Sequence, residues 1–242
     1  VFVLNAGSSS LKYQLIDIKS KELKASGLVE RIGIDGILKH EIGENKKITF
    51  ELPIPTHKEA IELVLRILTN DETKVINSID EVEAIGHRVV HGGEHFKGSV
   101  IVDDEVIRKI EELIPLAPLH NPANILGVKI CKDLMPKVPN VVTFDTAFHQ
   151  TMPMENFLYA VPYADYTEHH LRKYGFHGTS HYYVSQEAIK LLNKKDSKVI
   201  VCHLGNGSSV CAVKDGKSIS TSMGLTPLEG LVMGTRSGDI DA

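Results

Sequence analysis

The chain has 242 residues, 42% of them hydrophobic, and a formal net charge of −4, which is enough to build one or two domains with a buried core. No window approaches about 18 consecutive apolar residues, so we expect no membrane-spanning helix. The slightly acidic balance and the lack of a long lysine and arginine run argue against nucleic acid as the main partner.

The N-terminal part of the chain is predicted to form a β-meander. Residues 1–4 and 11–18 are apolar runs joined by a Gly/Ser-rich loop in NAGSSSLK, which is typical of an antiparallel pair. Shorter strands are expected to follow to about Leu52. Turns between them are expected at Gly33, Gly36, Gly43 and Asn45.

Three helices and two strands are predicted next. Thr56 and Glu59 form a capping-box pattern before an amphipathic helix that reaches Leu68. EVEAIGHRVVHGG indicates a strand that enters a glycine-rich loop. A second helix is expected to begin at Asp103 or Asp104 and to end before Pro115, and a third to begin at Asn121-Pro122. NVVTF is predicted to be a buried strand that ends at Asp145.

The composition then changes, because HQTMPMENFLYAVPYADY is rich in proline, methionine and aromatic residues and lacks periodicity. We therefore predict two domains, 1–149 and 150–242. The second should contain a helix over 179–192 and a hairpin from Val199 onwards. Thr226-Pro227-Leu228-Glu229 is a further capping-box pattern, which predicts a helix near the end of the sequence.

Residues 1–17 and 199–215 repeat one pattern, in which an apolar strand, a Gly/Ser turn and a second apolar strand end in aspartate. Any two hairpins share some of this, but both loops carry Gly-Ser-Ser with an asparagine nearby. We favour two duplicated halves. Such loops suit phosphate groups, because converging backbone N–H groups create a local positive potential. Neither loop matches the P-loop or the dinucleotide-binding fingerprint.

Four polar residues could act on a phosphoryl group. Arg88 interrupts an apolar strand, where an unpaired charge is costly, and Arg236 lies among small residues. Asp145 ends a strand, so it is either a turn former or a functional carboxylate at the usual site of open α/β sheets. His177 lies between glycines and is either incidental or a hydrogen-bond donor to developing charge.

The two glycines in HGGEH argue against a zinc site, since they would disrupt the helix that such a site requires.

Seven segments in order along the chain resemble the acetate kinase family, within the superfamily of acetate and sugar kinases, actin and heat-shock chaperone ATPases. They are LNAGSSSLKYQL, GHRVVHGGE, APLHNP, FDTAFHQTMP, YGFHGTSH, HLGNGSS and GLTPLEGLVMGTRSGDID. The resemblance implies an α/β fold of duplicated ribonuclease H-like, or actin-like ATPase, domains. Each has a mixed sheet opened by a Gly/Ser hairpin, the second domain is truncated, and the active site lies between them.

The resemblance also implies roles for individual residues. Catalytic roles fall to Asp145, Arg88, Arg236 and His177. Substrate binding falls to Arg88, Val90, Leu119, Phe176 and Pro227, of which the last four would form an apolar pocket for a methyl group. Binding of the nucleotide phosphates falls to Asn5, Ser10, Lys12, His203, Gly205, Asn206 and Gly207. Asn5 would also contact Mg²⁺ (or Mn²⁺), with a further glutamate ligand expected beyond residue 242.

The activity implied is reversible transfer of the γ-phosphoryl group of ATP to acetate, which gives acetyl phosphate and ADP. A propionate or butyrate kinase of the same family is the first alternative, since one methylene is worth only about 1–3 kcal/mol of discrimination. An actin-like nucleotide switch without catalysis is the second. The family implies a homodimer, and three cysteines without CxxC spacing favour a reduced, cytoplasmic setting.

The family continues beyond this sequence, so we expect a fragment that lacks the adenosine pocket and is inactive by itself.

Overall fold

Alternating apolar and polar residues produce an eight-stranded mixed sheet, as this computed structural model of residues 1–43, 46–194 and 196–241 shows. The strand order is β5-β4-β3-β2-β1-β6-β8-β7, with β1 parallel to β6 and the meander antiparallel. The strands are β1 (Phe2–Ala6), β2 (Leu11–Asp17), β3 (Glu22–Glu30), β4 (Ile37–Ile42), β5 (Lys46–Glu51), β6 (Ile85–Val89), β7 (Val100–Ile101) and β8 (Asn140–Phe144). The predicted meander and buried strands are confirmed.

Three helices accompany this sheet, also as predicted: α1 (His57–Thr69), α2 (Asp104–Glu112) and α3 (Asn121–Leu134). Thr56 caps α1 by accepting from the amide of Lys58, and Asp103 caps α2 by accepting from the amide of Val106. The apolar faces of α1 and α3 and the buried face of the strands share one core. Each fully buried leucine or isoleucine there contributes about 1.5–3 kcal/mol.

The chain divides into two compact units. The first consists of Val1–Val89, Val100–Ile114 and Pro118–Thr143, and the second of Val90–Ser99, Pro115–Ala117 and Phe144–Ala242. The sequence-based domains, 1–149 and 150–242, stay a prediction.

The second unit contains three short or medium helices and a second, three-stranded antiparallel sheet of order β11-β10-β9. Its elements are α4 (Met154–Phe157), α5 (Tyr163–His169), α6 (Gly178–Leu192), β9 (Lys198–Leu204), β10 (Ser208–Lys214) and β11 (Lys217–Thr221). Helix α6 packs on β9. The predicted helix over 179–192 and the second hairpin are confirmed.

The helix predicted to begin at the capping-box pattern Thr226–Glu229 is wrong, since these residues form bends and a turn. The Glu229 carboxylate pairs with Lys173 and accepts from the hydroxyl of Tyr159 instead of returning to the backbone of Thr226. Gly230 follows with a φ of +102°, which lies outside the right-handed helical region, so a helix cannot continue through it. Tertiary contacts therefore overrule the local capping pattern.

Asn45, a predicted turn position, and Ala242, the last residue of the predicted second domain, lie outside the described residues. Within the described ranges, every helix is too short or too polar to cross a bilayer.

Candidate active site

The first Gly/Ser loop, residues 7–10, joins β1 to β2 and is held by its carbonyl oxygens. The side-chain amide of Asn124 on α3 donates to the carbonyl of Ala6 over 2.7 Å. Nε2–H of His57, the first residue of α1, donates to the carbonyl of Gly7 over 2.7 Å. Helices α1 and α3 therefore fix the loop through carbonyl oxygens, while Ser8 and Ser9 at its tip are exposed.

Ser10 closes the same loop. The amide of Gly7 donates to the carbonyl of Ser10 over 2.8 Å. A Cβ at Gly7 would lie 3.0 Å from the Ser10 hydroxyl oxygen, so glycine leaves the room that this tight turn needs.

Asn5, Lys12 and Arg88 share one face of the first sheet. Asn5 stands opposite Lys12 in the β1–β2 register. Continuing the parallel register that pairs Leu4 with His87 brings Arg88 next to Asn5. The alternation of burial places all three on the less buried face. Asn5 and Lys12 line a groove of about 400 Å³ there. The first unit thus presents an amide and two cations close to a Gly/Ser loop.

The second Gly/Ser loop, residues 205–207, repeats this arrangement between β9 and β10. The hydroxyl of Ser208 donates to the carbonyl of Gly205 over 2.9 Å, and the amide of Gly234 donates to the carbonyl of Asn206 over 3.0 Å. Gly205 and Asn206 are exposed. This loop too is fixed by hydrogen bonds to its carbonyl oxygens, while Gly205 and Asn206 remain exposed to solvent.

Arg236 lies against this loop. A Cβ at Gly207 would stand 3.0 Å from Nη2 of Arg236, so the missing side chain makes room for the guanidinium group. Nη1 of Arg236 donates to the carbonyl of Pro227 over 2.7 Å. Sequence separates these residues widely, but the fold places a cation directly beside a candidate phosphate loop.

Asp145 follows β8 and is 2% exposed. Its carbonyl accepts from the amide of Gly178, the first residue of α6, over 2.8 Å. A Cβ at Gly178 would lie 2.1 Å from that oxygen, so only glycine permits the approach. The start of α6 is thereby fixed to Asp145.

His177 precedes α6 with a left-handed backbone, φ 58° and ψ 17°. Its Nδ1 lies 2.8 Å from the hydroxyl of Ser209 on β10, and its ring stacks on His203 at 4.0 Å between centroids. His203 is oriented by the hydroxyl of Ser180, 2.9 Å from its Nδ1. A continuous series of contacts therefore links Asp145, His177 and the second hairpin.

The residues expected to surround a methyl group are distributed over both units. Val90 and Phe176 are buried in one apolar cluster with Met223 and Met233. Leu119 belongs to the first unit and is 78% exposed. Pro227 is half-buried and touches the site through its carbonyl.

Burial keeps two histidines of the second unit neutral at ordinary pH. Burial lowers the pKa of His149 to about 4, although the carbonyl of Phe176 and the charge of Asp145 oppose this shift. Burial, with the neighbouring histidines 149, 177 and 203, lowers the pKa of His181 to about 3. Both rings therefore act as neutral hydrogen-bonding groups.

A model of the acetokinase family matches residues 1–242. The chain belongs to the acetokinase family.

Relatives and solved structures agree with this assignment. An acetate kinase of Lachnoclostridium phytofermentans is 58% identical over 243 residues, which cover 100% of this chain and 62% of that protein. The crystal structure of Porphyromonas gingivalis acetate kinase matches with a TM-score of 0.95 at 48% identity, over 99% of this chain and 61% of that one. A propionate kinase from Francisella tularensis matches with a TM-score of 0.92, also at 48% identity, over 99% and 61%.

These likenesses confirm the predicted fold class. The chain spans about three fifths of the length of the relatives that it matches.

Four further residues hold the groups described above. Asn124 and His57 hold the first loop, Ser209 contacts His177, and His181 contacts Ser209. Neither His57 nor Asn124 lies in one of the seven segments that carry the family resemblance, whereas Ser209 and His181 lie in two of them. Their partners are up to 118 residues away along the chain, so no local pattern reveals them.

Proposed function

We propose that the protein to which this sequence belongs is an acetate kinase, which transfers the γ-phosphoryl group of ATP to acetate and runs the reaction in both directions. One structural observation carries the proposal beyond family membership. In the second unit, Arg236 abuts the second Gly/Ser loop, and the same hairpin contacts His177 beside the buried Asp145. Arg236, His177 and the second loop together suit a reaction in which an anionic group must be positioned and its negative charge screened.

The chemistry requires little proton transfer. A carboxylate oxygen is already deprotonated at neutral pH, because its pKa lies near 4 or somewhat above, so the acceptor needs no general base. The catalyst must instead align two anions and stabilise charge on the transferring group. Arg88 would bind the carboxylate, Arg236 the phosphoryl oxygens, and His177 would donate a hydrogen bond to the charge that develops.

The two Gly/Ser loops would hold the nucleotide phosphates. Carbonyl oxygens in these loops or directly before them accept hydrogen bonds from Asn124, His57, Ser208 and Gly234. This supports a ligand on the opposite, exposed side of each loop. Asn5, Ser10 and Lys12 would serve in one loop, and His203, Gly205, Asn206 and Gly207 in the other. Asp145 would position substrate or metal.

Mg²⁺ or Mn²⁺ would neutralise part of the phosphate charge when bound. The amide oxygen of Asn5 and the carboxylate of Asp145 are hard oxygen donors of the type that Mg²⁺ prefers, so the chemistry of these donors fits the ion. We propose Asn5 as a ligand.

Propionate or butyrate is the alternative acceptor. Its support is the likeness to the Francisella tularensis propionate kinase, which is as identical to this chain as the acetate kinase of Porphyromonas gingivalis. Val90, Phe176, Met223 and Met233 would set the acyl size limit, since methionine adapts its shape readily. Comparing kcat/KM for acetate, propionate and butyrate decides between them.

A substitution at Arg88 tests the proposal in the full-length gene product. Arg88→Ala should lower ATP-dependent acyl phosphate formation by about 10²–10³-fold, because the carboxylate would lose the cation that orients it and screens its charge. Arg108→Ala is the matched control, because Arg108 is an exposed residue of α2 that pairs only with Glu112 among the contacts observed. The control should keep its activity.

An Arg88→Ala enzyme with unchanged carboxylate-dependent turnover contradicts the proposal. Retained ATP binding and hydrolysis without any carboxylate dependence would favour a nucleotide switch. A homodimer and a cytoplasmic location complete the proposal, and sedimentation and cell fractionation test them.

A further inference from the structure

The hydroxyl of Ser209 bridges two histidine rings inside the second unit. Its oxygen lies 2.8 Å from Nδ1 of His177 and 2.7 Å from Nε2 of His181. Ser209 and His181 are both fully buried, so water does not compete for these bonds at the bridge.

A serine hydroxyl carries one hydrogen and two lone pairs, so it can donate to one ring at most. If both rings donated to it, its own hydrogen would be buried without an acceptor among the described residues, since the two rings are its hydrogen-bond partners there. Two arrangements satisfy both contacts and use that hydrogen. In the first, Nε2–H of His181 donates to Ser209, which donates to Nδ1 of His177. In the second, every bond runs the other way, and His181 must carry its proton on Nδ1.

The surroundings of His181 favour the first arrangement. Its Nδ1 is buried and has no hydrogen-bond partner among the residues that the structure describes. A buried N–H without an acceptor is rarer than a buried acceptor with a spare lone pair. A proton on Nδ1 would create that orphaned donor, whereas a proton on Nε2 is used by Ser209.

The depressed pKa of His181, about 3, agrees with a single proton on this ring. The charged or titratable groups that act on it are His149, His177 and His203. The same device occurs nearby, where Nε2–H of His149 donates to the carbonyl of Phe176 and its Nδ1 lies 2.9 Å from the hydroxyl of Ser218.

We propose that Ser209 and His181 are positioning residues that hold His177 as the neutral tautomer with its proton on Nε2. Stacking on His203 fixes the plane of the ring, and the Ser209 hydroxyl fixes which nitrogen carries the hydrogen. His177 then offers an N–H donor on the nitrogen opposite the bridge. This role for His177 rests on the proposed function, but the tautomer itself does not.

The first test reads the tautomer directly in the full-length gene product. Histidine labelled with ¹⁵N gives separate imidazole signals, and the loss of one set in His177→Gln assigns His177 among the twelve histidines of this sequence. We expect a protonated Nε2 and an unprotonated Nδ1 near neutral pH. Ser209→Ala should give a mixture of tautomers, and Ser209→Thr, which keeps the hydroxyl, should restore the original state.

The second test is kinetic. Ser209→Ala should lower kcat by about tenfold to a hundredfold, as the loss of groups that orient a functional histidine does, while KM for ATP and for the carboxylate changes little. His181→Gln keeps an N–H donor near the position of Nε2 and should retain most activity. His181→Leu removes the donor and should lose it. If Ser209→Ala does not fold, the pair at His181 decides.

A proton on Nδ1 of His177 in the unsubstituted protein overturns the proposal. So does a Ser209→Ala variant with the original tautomer and the original kcat. An unsubstituted protein that shows the expected tautomer but no carboxylate kinase activity contradicts the proposed function and leaves the positioning role supported.

Discussion

His177 combines an expected role in phosphoryl transfer with an uncommon backbone. Its φ of 58° lies in the left-handed region, which costs a residue other than glycine about 1–2 kcal/mol. Such strain persists where the surrounding structure over-determines it and is concentrated at functional sites. Here the neighbouring Gly178 is fixed to Asp145, and the His177 ring is fixed by Ser209. The left-handed backbone, together with these contacts, therefore supports a functional reason for histidine at this position.

Replacing His177 separates backbone strain from imidazole chemistry. His177→Gly should be more stable than His177→Ala by about 0.5–1 kcal/mol. Glycine adopts positive φ without a steric cost at Cβ, but the greater entropy of its unfolded chain offsets part of that gain. Both variants should lose most phosphoryl transfer. Urea unfolding measures the difference.

Val184, an exposed residue in the middle of α6, is the control position. Glycine there should be less stable than alanine by about 1 kcal/mol. An alanine variant of His177 that equals or exceeds the glycine variant in stability would show that the left-handed backbone stores no strain.

At the scale of elements, the contact between the start of α6 and Asp145, which follows β8, organises the candidate site residues of the second unit. Gly178 is both the first residue of α6 and the residue that approaches the carbonyl of Asp145. Helix propensity alone would favour alanine there by about 1 kcal/mol. The close approach reverses that preference.

Gly178→Ala should therefore destabilise the protein by about 1–3 kcal/mol, the usual cost of forcing extra volume into a packed site. Its Cβ would meet the carbonyl oxygen of Asp145 at 2.1 Å, so the start of α6 and Asp145 must move apart. We expect kcat to fall together with stability, as thermal unfolding and steady-state kinetics can measure.

Gly98→Ala is the matched control, because a Cβ at Gly98 meets nothing within 4 Å. Its stability should change by less than about 0.5 kcal/mol. Equal stability of the two alanine variants would mean that the contact between Gly178 and Asp145 relaxes without cost.

Most elements followed from sequence because their signals are local. Hydrophobic alternation, the caps Thr56 and Asp103, and the proline after Asn121 each act within one turn or one strand. The exception was the stretch from Thr226 to Glu229, where Lys173 and Tyr159 capture the carboxylate that a capping box would need. A local pattern predicts an element only when no distant partner binds the same side chain more strongly.

Site residues divide in the same way. Gly/Ser loops, and arginines next to apolar runs, are visible as motifs. The groups that hold them, such as Asn124 at Ala6 and Ser209 at His177, come from distant strands and helices. Hydrogen bonds of this kind depend on the completed fold and leave no periodicity in the sequence.

At the scale of the whole molecule, buried histidines are a shared feature of both units. His87 lies in the first unit, and His91, His149 and His181 lie in the second; all four are at most 4% exposed. Burial is the leading cause that lowers the pKa of each one, to about 4 for His87, His91 and His149 and to about 3 for His181. In the unfolded chain each should titrate near its ordinary value of 6.5.

This difference makes acid a destabilising agent well before the carboxylates titrate. Between pH 6.5 and about 4 these four histidines bind protons in the unfolded chain but stay unprotonated in the folded protein. Their contribution to the free energy of unfolding is therefore highest above pH 6.5 and falls as the pH is lowered. Each histidine contributes up to about 1.4 kcal/mol per pH unit. Urea unfolding at pH 7, 6 and 5 should show the fall. In His87→Gln the free energy of unfolding should depend less steeply on pH, by the contribution of about one proton, since glutamine can still donate to Asn140 but cannot titrate. A free energy of unfolding that stays level from pH 7 to pH 5 would mean that these rings accept protons in the folded protein as readily as in the unfolded chain.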